Sequence, residues 1–246
     1  MAGKLVLVGA GPGDPELLTF KAARAISRGD VILKDRLVPD EIIEEHASED
    51  AEIIDVGKKP GGEGWTQEEI NELIVREGTK GKTVVRVKSG DPLIFGRGAE
   101  EIEVALKHGM DVEVVPGVTS AIGVPTSLGL PLTHRKCASS FVVATGHEDP
   151  SKPENRVDFG ALAEAADTLV VLMGARRLRE IAREILERRG NESVAILERG
   201  TTEQERVKVG TLEDAAEGRM KARPPAVVVV GEVVEWWKEI LGRETR

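Results

Sequence analysis

Two β-branched strand runs, each ending in a short cluster of small polar residues, constrain this chain more than any other feature. Val84, Val85 and Val87 form the first run, which stops at Ser89-Gly90-Asp91-Pro92, a turn-forming cluster. A helical pattern follows, with Glu100, Glu101 and Glu103 near its start, Lys107 and His108 at its end and Gly109 as its stop. Those charges suit the helix dipole. The second run, Val112 to Val115, ends in Pro116-Gly117-Val118-Thr119-Ser120. In open α/β sheets ligands bind beyond the C-terminal ends of the strands, and Ser, Gly and Thr there let a ligand approach the backbone closely. This edge therefore reads as a small-molecule site.

The rest of the first half follows the same grammar. A strand at Leu5–Val8 opens into Gly9-Ala10-Gly11-Pro12-Gly13-Asp14-Pro15, and a helix is predicted from about Glu16 to Ser27 with Leu17, Leu18, Ala22, Ala25 and Ile26 on its buried face. A strand at Val31–Leu33 ends in Lys34-Asp35-Arg36. A short helix after Pro39 leads to a strand near Ile53–Val56, which ends in Gly57-Lys58-Lys59. Thr66 and Glu69 make a capping box for a helix reaching about Glu77. In the second half, strands are expected at Ser140–Ala144, Thr168–Leu172, Val194–Leu197, Arg206–Val209 and Ala226–Val230. The clearest helix is Arg176–Arg189, stopped by Gly190. A hairpin around Arg199–Gln204 makes this second sheet mixed. Gly146–Asp158 reads as a long surface loop, and Trp236-Trp237 as packing residues on a short last helix. Two α/β domains result, 1–120 and 121–246.

Composition narrows the function. The 246 residues carry a net charge of −9, which argues against a nucleic-acid partner, because phosphate binding needs a basic footprint. The single Cys137 excludes internal disulfides and fits a reducing, cytoplasmic setting. The start runs straight into a strand with no signal peptide, and no apolar run approaches the roughly 20 residues of a membrane span. His134 and Cys137 are too few for a zinc site, so no metal is expected.

Gly9-x-Gly11 after a strand suggests a dinucleotide fingerprint, with Asp35 as the ribose acid. Asp14 at the third glycine position and Pro12, which lacks an N–H, argue against that reading. Gly81-Lys82-Thr83 lacks the upstream glycine of a phosphate loop and precedes a strand, so it is a turn. Lys34, Arg36, Lys58, Lys59, Lys88, Arg97, His134, Arg135 and Lys136 fall at or beyond strand ends. If those ends share one edge, positive charge gathers in one cleft and implies an anionic substrate of some size, with Arg36, Arg97, His134 and Arg135 as substrate contacts. Asp35 and Lys58 each close a strand at a βα loop; they can serve as base and acid or as a structural ion pair, and spacing does not choose. Asp14 and Asp91 sit in Gly-Asp-Pro turns, where backbone hydrogen bonds are the simplest role.

GAGPGDPELLT (Gly9–Thr19), KDRLV (Lys34–Val38), GKK (Gly57–Lys59), SGDPLIFGRGAEE (Ser89–Glu101), PGVTSA (Pro116–Ala121) and PLTHR (Pro131–Arg135) together resemble the tetrapyrrole methylases. TGH at Thr145–His147, LMG at Leu172–Gly174 and RGT at Arg199–Thr201 extend the likeness over nearly the whole chain. The resemblance implies two α/β domains with the active site in the cleft between them, in a homodimer. It implies S-adenosylmethionine as methyl donor, contacted by Pro12, Ser89, Gly90, Asp91, Ile94, Thr119, Ser120, Met173, Gly200 and Ala226. It also implies Asp35 and Lys58 as an acid–base pair. The reaction implied is C-methylation of uroporphyrinogen III at two pyrrole carbons to give precorrin-2, or the step of another tetrapyrrole methylase such as a precorrin methylase. Departures from the family pattern are Lys34 for a common tyrosine, Ser89 and Ala99 for glycines and Lys59 for an arginine; Lys34 would add charge where the substrate lies.

Overall fold

The computed structural model describes residues 3–57, 65–147 and 157–242, which divide into two compact units at Thr119/Ser120. The first unit is built on β1 (Lys4–Gly9), β2 (Val31–Lys34), β3 (Glu52–Asp55), β4 (Thr83–Lys88) and β5 (Asp111–Val115), all parallel, in the order β3-β2-β4-β1-β5. Parallel neighbours require crossover segments, supplied by α1 (Phe20–Ile26), α2 (Asp40–His46), α3 (Gln67–Gly78) and α4 (Gly98–Lys107). Helices on both faces explain why the inner strands read as continuous apolar runs instead of alternating ones. Val6, Val8, Ile32, Val85 and Val87 pack under Ala22, Ala25, Ile26, Ile42 and Ile43 of α1 and α2. On the other face, Leu5, Leu7, Val31, Leu33 and Val84 pack under Ile70, Leu73 and Ile74 of α3 and Ala105 of α4. The edge strand β3, with its exposed Glu52 and Asp55, presents charge where an unpaired strand would otherwise recruit another.

The second unit holds α5 (Ser120–Ser127), β6 (Phe141–Thr145), α6 (Phe159–Ala165), β7 (Thr168–Leu172), α7 (Leu178–Arg189), β8 (Ser193–Glu198), β9 (Arg206–Thr211), α8 (Leu212–Glu217), β10 (Ala226–Val230) and α9 (Glu232–Leu241). Its sheet runs β6-β7-β10-β8-β9; β6 and β7 are parallel, while β10 is antiparallel to β7 and β8, and β8 and β9 form the expected hairpin. One face packs on α5 and α9, where Trp237 is fully buried and its indole N–H donates to the Leu128 carbonyl at 3.1 Å. The other face packs on α6, α7 and α8.

Local chemistry sets the element ends. The Thr66/Glu69 capping box is present, with Glu69 N–H to Thr66 Oγ1 at 3.2 Å and Thr66 N–H to Glu69 Oε2 at 2.6 Å. The helix read from Glu16 divides instead. Asp14 Oδ1 accepts from Glu16 N–H and caps a 3₁₀ turn at Pro15–Leu17, and Thr19 then caps α1, so Leu17 and Leu18 are only half-buried. The helix at Arg176 likewise begins with a 3₁₀ turn, Ala175–Arg177.

Glu77, at the end of α3, is buried among Lys80, Lys82 and Arg76. Hydrogen bonds from Lys80 and then Lys82 hold its carboxyl down at about 2, against 4.5 ordinarily. A depressed folded pKa contributes stability that is complete above pH 4.5 and lost as pH falls through 2. Glu77→Gln is therefore expected to destabilise the neutral protein by about 1–3 kcal/mol and to flatten the acid side of its stability profile. Chemical denaturation of both proteins across that window checks it; parallel profiles would count against the assignment.

Candidate active site

The loops after β1, β4 and β5, three adjacent strands, are laced together by main chain. Ala10 N–H donates to the Lys88 carbonyl at 2.8 Å, and Gly11 and Gly90 exchange N–H···O bonds of 3.2 and 2.7 Å. Gly117 N–H donates to Asp91 Oδ2 at 3.1 Å, while Asp91 Oδ1 accepts from Leu93 N–H at 2.9 Å. Crowding explains the glycines: a Cβ on Gly117 would lie 2.3 Å from the Gly90 oxygen, and one on Gly9 would lie 2.5 Å from the Gly117 nitrogen. Gly90 also has φ 71°, in the left-handed region.

This lacing removes the dinucleotide reading on physical grounds. The Gly11 N–H that a phosphate would need is given to Gly90, and Pro12 has none. The loop then enters a 3₁₀ turn, so no α-helix begins directly at its end as a dinucleotide fingerprint requires.

Beyond the laced corner the β4 loop exposes Leu93, Ile94 and Phe95, with Phe95 and Arg97 held at φ 53° and 57°. Non-glycine residues in this region are strained and cluster at ligand-binding edges. The second unit repeats the feature. Met173 (φ 56°) directly follows β7, and Arg199 (φ 49°) and Thr201 (φ 63°) follow β8. Ala226 opens the antiparallel β10 and pairs with Glu198, while the next residue, Val227, pairs with Leu172. Met173, Gly200 and Ala226 therefore gather at one edge of their sheet. A Cβ on Gly200 would meet Val124 of α5 at 2.1 Å, so that loop is sealed against its own helix.

Asp35 leaves the end of β2 and its Oδ1 is ion-paired with Arg86. Arg86 and Lys88 are consecutive inward positions of β4, and both are buried. Glu101 of α4, wholly enclosed, answers both: Oε1 accepts from Arg86 Nε at 3.2 Å and Lys88 Nζ at 3.0 Å, and Oε2 from Lys88 at 3.1 Å. Burial works against the Arg86 charge, but Asp35 and Glu101 more than offset it and hold its pKa above the ordinary value. Lys88 goes the other way, pushed down by burial and by Arg86 despite Glu101. Charge spacing along the chain did not reveal this cluster; its signal was two cations alternating with valines in a buried strand.

Comparison with known proteins fits this geometry. The model of the tetrapyrrole (corrin/porphyrin) methylases matches residues 4–216. The chain belongs to the tetrapyrrole methylases. It is 51% identical over 239 residues to the uroporphyrinogen-III C-methyltransferase of Methanocaldococcus jannaschii, covering 95% of this chain and 98% of the relative. It is 47% identical to the S-adenosyl-L-methionine-dependent uroporphyrinogen III methyltransferase of Methanosarcina barkeri, covering 98% and 96%. The crystal structure of the Thermus thermophilus uroporphyrin-III C-methyltransferase complexed with S-adenosylhomocysteine superposes with a TM-score of 0.82 at 44% identity, covering 95% of this chain and all of that one.

In this methylase the positive edge read from strand ends is smaller than expected. Lys34 is buried and paired with Asp40 and, at 3.8 Å, with Asp55, so it adds no free charge. Lys88 is enclosed with Glu101. Arg97 is held by Glu100 through contacts of 2.9 and 2.7 Å. His134, Arg135 and Lys136 do not follow a strand; they lie in a turn closed by His134 and Ala138 before β6. The His134 ring stacks on Trp236 with centroids 4.8 Å apart, and its Nδ1 lies 3.4 Å from both Lys136 N and Cys137 Sγ. Arg36 and Arg135 remain exposed, with no side-chain partner among the described residues. The Arg36 backbone lies close against Gly57, where an added Cβ would lie 2.3 Å from Arg36 Cβ. Lys58 and Lys59 fall outside the described residues, as does most of the loop expected at Gly146–Asp158. Among the described residues no group of acidic, His and Cys side chains is placed to hold a metal ion, and no helix is long and apolar enough to cross a membrane.

Proposed function

We propose that this chain transfers methyl groups from S-adenosylmethionine to uroporphyrinogen III, at two pyrrole carbons, to give precorrin-2. The observation that carries the reading is the laced corner of Gly9–Gly11, Ser89–Asp91 and Gly117 in a chain 44% identical to a methyltransferase crystallised with S-adenosylhomocysteine. The residues suit that donor. Exposed Ile94 and Met173 offer apolar contact, and the spent Gly11 N–H makes the corner poor for a pyrophosphate. In this reading Pro12, Ser89, Gly90, Asp91, Ile94, Thr119, Ser120, Met173, Gly200 and Ala226 hold the donor.

When bound, the donor supplies an electrophilic sulfonium methyl, which needs an electron-rich carbon held in line and no metal. The protein's tasks are then positioning and proton management. Arg36 meets a carboxylate arm of the macrocycle, with Arg97, His134 and Arg135 as further candidates on the substrate side. Asp35 accepts the proton that the macrocycle gives up after methylation, and Lys58 is proposed as its acid partner. The lone cysteine suits a reducing cytoplasm, and a homodimer is the proposed assembly.

Two measurements test this reading. Calorimetry is expected to detect S-adenosylhomocysteine binding without metal and no binding of NAD; the reverse pattern would overturn the donor assignment. Arg36→Ala is expected to raise the substrate KM roughly 10–100-fold, the equivalent of losing a charged hydrogen bond of about 1.5–3 kcal/mol. Donor affinity should not change, and an unaltered KM would remove Arg36 from the substrate side.

A further inference from the structure

Arg86, Lys88 and Glu101 are expensive to bury, and the apolar core around them does not call for charge. Residues 84, 86 and 88 of β4 face the α3/α4 side, where Val84 already packs with Leu5, Leu7, Leu33 and Ile74. An aliphatic residue at 86 would serve that core better, because desolvating a cation costs several kcal/mol that pairing only partly repays. What the cations do is visible in their bonds. Arg86 Nη1 donates to the carbonyls of Leu33 and Val87, each at 3.2 Å, and the Val87 carbonyl also takes the Asp35 N–H at 3.1 Å. Arg86 Nη2 reaches Asp35 Oδ1, and Oδ2 has no partner among the described residues. Arg86 therefore grips the end of β2 through the Leu33 carbonyl and the Asp35 carboxylate and leaves one Asp35 oxygen unbonded among the described residues.

The grip depends on the residues behind it. Glu101 Oε1 fixes Arg86 Nε, and Glu101 is itself held by Lys88 and by Gln67 Nε2 at 3.2 Å. Gln67 in turn donates to Asn71 at 3.1 Å. Two cations and two carboxylates make the cluster neutral when Asp35 is ionised. Without Lys88, Glu101 would serve Arg86 alone; without Glu101, two enclosed cations would repel each other with Asp35 as their sole counter-charge.

We propose that Glu101 and Lys88 are positioning residues for the methyl-transfer reaction, acting through Arg86 to fix Asp35 with one oxygen free. This rests on the reading of Asp35 as proton acceptor. The experiment is a set of four variants assayed for kcat, substrate KM, S-adenosylhomocysteine affinity and melting temperature. Glu101→Gln keeps shape and removes the charge that holds Arg86, and is expected to lower kcat about 10–100-fold with KM and donor affinity within about twofold. Lys88→Met is expected to give a smaller loss. The double variant removes one cation and one anion, restores charge balance around Arg86 and is expected to recover part of the lost kcat. If kcat per folded molecule is normal in the single variants, or the double variant loses as much as the two singles multiplied, the positioning role is wrong. Should Glu101→Gln fail to fold, Lys88→Met and the double variant still decide, since the proposal requires the double to retain turnover. Asp35→Asn run alongside separates the two readings. If it leaves turnover normal, the proton-acceptor assignment fails; if it lowers turnover as expected while the Glu101 and Lys88 variants turn over normally when folded, only the positioning inference fails.

Discussion

Asp35→Asn is expected to lower turnover by about 10²–10⁴-fold while leaving S-adenosylhomocysteine affinity and substrate KM near wild type. The substitution preserves shape but removes the acceptor for the proton released after methylation. It also replaces the ion pair with Arg86 by a hydrogen bond to an uncharged amide, which leaves Arg86 facing Glu101 and Lys88 with one negative charge fewer. Some loss of stability is therefore expected, of about 1–3 kcal/mol, and the two effects must be separated. Steady-state kinetics normalised to folded protein, with thermal unfolding of the same samples, do so. A protein that unfolds early yet turns over normally when folded would mean that Asp35 is a strut for the β2 loop and nothing more.

Gly90→Val is expected to weaken S-adenosylhomocysteine binding by roughly 10–100-fold, on the scale of one strained backbone position. Gly90 stands at φ 71°, and both its N–H and its carbonyl are bound to Gly11, so the backbone cannot rotate to suit a β-branched residue. Any relief must come from opening the corner that joins the loops of β1, β4 and β5. Gly109→Val is the matched control. Gly109 also sits at φ 71°, but an added Cβ meets nothing within 4 Å and it lies past the far end of α4. Equal losses of donor affinity in both variants would mean that general destabilisation, and not the laced corner, is being measured.

What the amino-acid order revealed and what it hid have the same physical origin. Ser89-Gly90-Asp91-Pro92 and Pro116-Gly117 punctuate apolar runs, and turn chemistry of that kind is local, so strand ends and the loops beyond them could be read directly. The capping box at Thr66 and Glu69 is local too. The division of the first helix was missed because Asp14 and Thr19 each offer a cap, and a propensity pattern cannot tell which will be used. Side-chain partners are not local. Lys34 and Lys88 stand at strand ends and look available to a ligand, yet Asp40 and Glu101 neutralise them. Glu101 looks like a helix-dipole charge on the first turn of α4, and only the packing of that turn on β4 makes it the buried partner of two cations. The His134–Lys136 segment carries no strand or helix periodicity, so its place before β6 could not be inferred.

The most direct test of the function is anaerobic incubation of the protein with S-adenosylmethionine and uroporphyrinogen III, followed by mass analysis of the tetrapyrrole. A product heavier by two methyl groups, with S-adenosylhomocysteine formed in matching amount, is the expected result. An unmodified tetrapyrrole, together with methylation of a precorrin offered under the same conditions, would contradict it and assign the chain to a different step of tetrapyrrole methylation.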